Sequence, residues 1–206
     1  RDSSTSRGLG DVYKRQVGEF NKYDGRVHLM ERIEDTGVFE LFIPGLAAGC
    51  GYMYEIKRQG KGTTRKLDPV SRQISSVPIT ASVVSDENMP DSYAWNDGLW
   101  MIKRKKEAGK KKPVTVYEVS LTDWLKEKSA DELVDFVKQE GYTHVCFLPV
   151  AEYLNEEMNG YSTLGYFAVT HRTGGSDAFK KLVDDCHNAG IGVIIDWNLS
   201  LIHISE

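Results

Sequence analysis

Hydrophobic and polar positions along the chain repeat with two different periods, and the change falls near Pro113. Before it the period is two. Phe39, Leu41 and Ile43 alternate with Glu40 and Phe42 until Pro44-Gly45 breaks the run, and Tyr52, Tyr54 and Ile56 alternate with Met53 and Glu55. A polar, glycine-rich turn over 58–64 follows. Alternation with turn signals at this spacing predicts a small antiparallel β-sandwich over 17–84. After Pro113 short apolar runs alternate with helical spacing. Val114 to Val119 reads as a buried strand. Ser129 and Glu132 form a capping box, and Ala130, Leu133, Val134 and Val137 then fall on one helix face that Gly141 ends. Thr143 to Val150 is the next strand. Ser176 is the expected cap of a second helix carrying Phe179, Leu182, Val183 and Cys186, with Gly190 as its stop, and Ile191 to Ile195 is a third strand ending on Asp196. Strands alternating with helices predict parallel pairing, in a doubly wound sheet or a β/α barrel. From Val114 to Asn198 there are 85 residues, against roughly 250 for a complete barrel. If it is a barrel, most of it is absent.

The ends and the middle follow neither period. Residues 1–16 are rich in Ser, Arg and Gly, and residues 199–206 continue a strand-like pattern without the chemistry that it leads toward. Both read as translated adapter sequence and as non-native tails, outside the fold. Residues 85–112 are rich in Asp, Asn and Pro and then in Lys, which predicts a solvated linker. The basic blocks 103–106 and 110–112 lack the aromatic interleaving of a nucleic-acid surface. The expected divisions are therefore 1–16, 17–84, 85–112, 113–198 and 199–206.

Composition narrows the class. Of 206 residues 40% are hydrophobic and the formal net charge is −4, which suits a globular protein and argues against a general nucleic-acid binder. No apolar run approaches the roughly 18 residues of a membrane span. Cys50, Cys146 and Cys186 are too few and too scattered for a disulfide framework or a zinc site, so free thiols, no metal, no cofactor and a cytoplasmic setting are expected.

In parallel α/β folds chemistry gathers at the carboxyl ends of the strands. That places Glu118, Glu152 and Asp196 first. Glu118 serves equally well as a buried hydrogen-bond anchor, and Glu152 reads as a solvated loop acid. Asp196 follows an apolar run directly and calls for a partner. His144 and His187 read as structural. The 22-residue connection 151–172, with Tyr153, Tyr161 and Tyr166, has the length of a functional loop, and its tyrosines suit stacking on sugar rings. For Tyr153 and Tyr166, packing onto the strands is the preferred reading.

Several stretches together carry a family resemblance. Val17-Gly18-Glu19-Phe20-Asn21-Lys22-Tyr23-Asp24-Gly25, Gly37 to Gly45, and Tyr52-Met53-Tyr54-Glu55-Ile56 resemble the immunoglobulin-like N-terminal sandwich of glycogen branching enzymes, a family-48 carbohydrate-binding module. Asp68-Pro69, Thr80-Ala81-Ser82 and Tyr93 to Met101 continue the match. Val116-Tyr117-Glu118-Val119-Ser120-Leu121 with Trp124, then Leu148 to Glu152, Gly160-Tyr161, and Ile194-Ile195-Asp196-Trp197 are similar to the opening of the family's catalytic barrel. The resemblance covers nearly all of 17–198. It implies a sandwich followed by about three strands of a TIM (β/α)8 barrel of glycoside hydrolase family 13. It also implies a retaining glucanotransferase that cuts α-1,4 glucan and forms α-1,6 branches in glycogen. By the same resemblance Tyr161 packs on the sugar at the cleavage subsite, Asp196 orients the site, and Tyr23 is an aromatic glucan contact. The nucleophilic Asp and the acid/base Glu belong to later strands, which leaves this chain a fragment without its own catalytic pair. Departures are Ser120 where the family usually has His, Asn159 for Trp, Ser162 for Gln, Tyr23 for Trp, and Leu201 where a His is usual. A non-catalytic glucan-binding protein and an isoamylase-like debranching enzyme are the alternatives.

Overall fold

The computed structural model describes residues 11–58, 60, 62–75, 79–85 and 93–199. Residues 1–10 and 200–206, in the two ends expected to be tails, and 86–92, in the expected linker, lie outside the described residues. The chain divides into two units, residues 1–88 and 89–206.

The first unit is antiparallel β. Strands β1 (Asp11–Gly18), β4 (Gly51–Arg58), β7 (Ala81–Val83) and β6 (Ile74–Ser75) neighbour one another in that order, and β5 (Thr63–Lys66) pairs with β4. A separate ribbon joins β2 (Glu31–Ile33) to β3 (Val38–Glu40). Val17, Met53 and Ala81 are buried between these elements, with Tyr23 and Leu67 packed against them.

Two expectations change here. The sheet begins at Asp11, so residues 11–16 belong to a strand and not to a tail. Their side chains carry no apolar period. The β4 backbone organises them, with Gln16 opposite Tyr54 and Arg15 opposite Glu55. The strand expected over Phe39 to Ile43 stops at Glu40, because β2 ends opposite it at Glu31 and offers no partner beyond. Like charges facing each other at that last pair weaken it further. Leu41 to Ile43 run on as an irregular segment that leaves Phe42 86% exposed.

The second unit follows the sequence pattern more closely. Strands β8 (Val116–Val119), β9 (His144–Phe147) and β12 (Gly192–Ile195) form a parallel sheet in the order β12–β9–β8. Helices α3 (Ala130–Gln139) and α4 (Gly175–Asn188) contribute their apolar faces to one continuous core with Val119, Val145 and Phe147. The Ser129 capping box forms as expected: Ser129 N–H donates to Glu132 Oε2 at 2.7 Å, and Glu132 N–H donates to Ser129 Oγ at 3.2 Å. Those bonds stabilise the ionised carboxyl and hold its pKa below the ordinary value. Leu133 is fully buried. Leu133→Ala is expected to cost about 2–5 kcal/mol, read as a lower urea midpoint for this unit.

Three further corrections belong to this unit. Ser176 does not cap α4; the helix begins at Gly175, and Gly174 precedes it in the left-handed region. The connection 151–172 is not an open loop. Strands β10 (Ala151–Tyr153) and β11 (Thr163–Val169) pair antiparallel within it. Nor is 93–107 a solvated linker. It contains helix α1 (Gly98–Glu107), and buried Asp184 of α4 accepts from Tyr93 Oη–H at 3.0 Å and from Asn96 N–H at 3.0 Å. His187 Nδ1 lies 2.7 Å from Asp97 Oδ2, and its ring stacks on Trp100 at 3.7 Å. His187 is thus structural, as its helical position suggested. The cations of α1 are exposed, and Arg104, Lys105 and Lys106 sit in its last turn, where they complement the helix dipole. The short helix α2 (Leu121–Trp124) follows β8, capped by Ser120.

Candidate functional site

Strand register puts the chemistry on one side of the parallel sheet. Glu118, Cys146 and Ile194 lie opposite one another across β8, β9 and β12. Side chains alternate along a strand, so this face is the reverse of the Val119–Phe147 face that meets the helices. Asp196 stands one residue past β12, anchored by its N–H to the Phe147 carbonyl at 2.9 Å.

Tyr161 reaches Asp196 from the β10–β11 hairpin. Its hydroxyl donates to Asp196 Oδ2 at 2.6 Å. That bond to a carboxylate, with burial second, pushes the phenol pKa up to about 12, so Tyr161 remains a donor through the neutral range. Gly160 makes the approach possible. Its φ is +88°, and a Cβ there would come within 2.7 Å of the Pro149 carbonyl oxygen. Asn198 then returns along the hairpin and donates its side-chain N–H to the Tyr161 carbonyl at 3.0 Å. The Cys146 thiol is pushed up by burial first and by the negative charges of Glu118 and Asp196 second, which disfavours a thiolate on this face.

Glu152 is not the solvated acid that its loop context suggested. It is 2% exposed. Arg172 donates from a guanidinium nitrogen to Oε1 at 2.7 Å, Thr170 donates its hydroxyl at 3.2 Å, and His171 donates its backbone N–H to Oε2 at 3.0 Å. The Arg172 guanidinium lies over the Tyr153 ring at 4.3 Å. Hydrogen-bonded and paired in this way, Glu152 ties both ends of the hairpin together and has no free oxygen to offer a substrate. Glu118 is exposed on the open sheet face.

The remaining tyrosines separate. Tyr153 is buried, as expected, whereas Tyr166, on β11, is 38% exposed and its hydroxyl donates to the Leu199 carbonyl at 3.4 Å. Tyr23 packs against the Val17 core at a φ of +58°, with its N–H bonded to the Gly18 carbonyl at 2.8 Å. Its ring is partly buried against that core. His144 holds Thr143 Oγ1 at 2.8 Å.

Sequence reasoning missed two clusters. One is the Asp184 anchor described above. The other is a cavity of about 730 Å³ on the first unit, lined by Gln16, Phe42, Tyr52 and Tyr54 among others. The period-two pattern marked Tyr52 and Tyr54 as one face of a strand, but nothing in it indicated that the face stays open.

Comparison with known proteins bears on both units. The family described as Carbohydrate-binding module 48 (Isoamylase N-terminal domain) matches residues 16–71. A protein named 1,4-alpha-glucan branching enzyme GlgB from Nitrosococcus oceani is 42% identical over 191 residues, which are 88% of this chain and 25% of that protein. Its namesake from Methylococcus capsulatus is 43% identical, with the same shares covered. This chain is a relative of the bacterial branching enzymes. It spans about a quarter of their length. A solved structure described as a putative alpha amylase from Salmonella typhimurium superposes with a TM-score of 0.65 at 24% identity, over 91% of this chain and 29% of that one. The fold is thus shared with an amylase-like protein. Among the described residues no helix is long and apolar enough to cross a membrane.

Proposed function

We propose that this chain is the N-terminal part of a 1,4-α-glucan branching enzyme of glycoside hydrolase family 13, working on glycogen in the cytoplasm. The first unit is its glucan-binding module. The second is the opening of a (β/α)8 barrel, and the exposed sheet face carrying Glu118 and Cys146 becomes the interior of that barrel. The observation that carries the reading is the 2.6 Å bond between Tyr161 and Asp196 at the carboxyl end of the sheet, in a chain about 42% identical to branching enzymes over 88% of its length.

In the complete enzyme a retaining double displacement uses one carboxylate as nucleophile and a second as acid and then base. Both come from later strands. Tyr161 offers its ring face to the sugar while its hydroxyl fixes Asp196, and Asp196 orients the groups around the cleaved bond. Binding energy used in this way acts on the transition state, where the ring flattens and gains charge.

The test joins this chain to the C-terminal three-quarters of the Methylococcus capsulatus relative. The hybrid should form α-1,6 linkages in amylose; a folded but inactive hybrid overturns the reading. In that hybrid Tyr161→Ala and Asp196→Asn are each expected to lower kcat roughly 10²-fold or more, with a smaller change in KM, because misplacement by about 1 Å costs that much. Equal kcat in the Tyr161 variant and its parent would make the tyrosine merely structural.

A further inference from the structure

We propose that the cavity at the amino end of the parallel sheet, between α1 and the starts of β9 and β12, is a binding site for a diphosphate group, free or carried on a small organic body. The cavity has a volume of about 480 Å³. It lies at the opposite end of the strands from Tyr161 and Asp196, and so is separate from the site described above.

One face of α1 forms its wall. Trp100, Lys103, Arg104 and Glu107 stand at i, i+3, i+4 and i+7 of the helix, and all four line the cavity. Contacts that need no ligand hold this wall in place. The Trp100 ring stacks on His187 of α4 at 3.7 Å, and Asp97, just before the helix, pairs with His187 at 2.7 Å. After the helix the chain turns back. Gly109 has a φ of +82°, and the Lys110 N–H donates to the Glu107 carbonyl at 3.0 Å. That turn brings Lys110 and Lys112 to the same cavity. The strand ends make the floor. His144 is fixed there by Thr143 Oγ1 at 2.8 Å and by the missing side chain of Gly192, where a Cβ would overlap its ring.

Four cations therefore surround one carboxylate, in a chain whose net charge is −4. Glu107 is bonded to Lys112 at 2.7 Å. That bond first, with the charges of Lys112, Lys103 and Lys110 adding to it, holds the Glu107 pKa below the ordinary value. The three lysines are thus within electrostatic reach of one another. Among the described residues Lys103, Arg104 and Lys110 have no carboxylate at salt-bridge distance. The helix dipole accounts for a cation at Arg104, in the last turn, but Lys110 and Lys112 lie past the helix. Like charges gathered in a concave, low-dielectric setting repel one another and concentrate a positive field, which a bound anion relieves. The excess of three cations suits a ligand with roughly three negative charges, as two phosphate groups carry. Lysine ammonium groups and the arginine fork both donate well to phosphate oxygens, and the volume falls in the range of small-molecule sites. The two basic blocks of the sequence are accordingly not one solvated strip. Lys105, Lys106 and Lys111 do not line the cavity.

The experiment is calorimetric titration of the full chain with inorganic pyrophosphate at neutral pH and low salt. The parent should bind one pyrophosphate per chain. Replacing both Lys103→Gln and Arg104→Gln should weaken binding roughly tenfold or more, the loss of two charged hydrogen-bond donors. Lys105→Gln with Lys106→Gln removes the same charge from the same helix outside the cavity, and should change affinity less than about threefold. Glu107→Gln should tighten binding, because it removes the carboxylate that competes for Lys112. These side chains lie toward solvent, so the circular dichroism spectrum should stay that of the parent. ADP binding as tightly as pyrophosphate, or more tightly, distinguishes a free from a carried diphosphate, and either supports the site. No binding by the parent overturns the proposal. So does an equal loss in the two double variants, which would reduce the effect to diffuse charge, or weaker binding by Glu107→Gln. Retention on duplex DNA that excess pyrophosphate fails to displace would also overturn it, in favour of a polyanion surface.

Discussion

Glu152→Ala is expected to unfold the second unit under conditions where the parent is stable. The Glu152 carboxylate is 2% exposed, and its partner Arg172 is buried to 19% side-chain exposure. Removing the acid leaves the guanidinium without its 2.7 Å partner and strands the N–H of His171 and the hydroxyl of Thr170. Breaking a buried pair from one side typically costs about 3–5 kcal/mol, against a total domain stability of about 5–15 kcal/mol. Arg172 keeps a 3.3 Å contact to exposed Glu156, but a solvent-screened pair of that kind contributes at most about 1 kcal/mol. Glu152→Gln, which retains the shape and one acceptor, should cost less. Chemical denaturation followed at Trp124 and Trp197 fluorescence measures the difference. Equal midpoints for Glu152→Ala and the parent would mean that the network holds nothing together.

The misreading of Glu152 shows where sequence was legible and where it was not. The α3 stripe and its capping box were readable because each depends on residues within one or two turns of each other. The parallel strands were readable as apolar runs. Glu152, by contrast, lies 20 residues from Arg172, and its burial exists only because β10 and β11 pair across the connection. No local period records that pairing. Asp184 is a similar case: it occupies α4 as an ordinary polar position, yet it is buried by Tyr93 and Asn96, about 90 residues earlier. Strand β1 escaped for a third reason, since its residues 11–16 carry no apolar period and are held by the backbone of β4. At the candidate site, the Asp196 position was legible because a charge directly after an apolar run calls for a partner. Its partner Tyr161 was singled out as an aromatic contact, and the 2.6 Å bond between them came only with the fold. Tyr23, singled out as an aromatic contact, is partly buried against the Val17 core, a placement that the motif alone did not record.

The chain by itself is expected to produce no α-1,6 linkages. Retaining transfer needs two carboxyl groups about 5–5.5 Å apart, one unprotonated and nucleophilic, the other holding a proton for the leaving oxygen. The acids available at the carboxyl end of the sheet do not meet that requirement. Asp196 accepts the Tyr161 hydroxyl, Glu152 is closed within its Arg172 network, and Glu118 lies on a face open to water. An exposed carboxylate keeps its hydration and loses the electrostatic advantage of a dry, preorganised site. Neither proximity nor charge stabilisation is then supplied, and these are the terms on which glycosyl transfer depends. Purified chain incubated with amylose should leave the iodine absorbance unchanged, and enzymatic debranching of the product should release nothing above the buffer control. The same assay on the hybrid with the relative's C-terminal three-quarters serves as the positive arm. Branching by the isolated chain would mean that a catalytic pair lies within residues 1–206, and the roles given to Glu118, Glu152 and Asp196 would have to be reassigned.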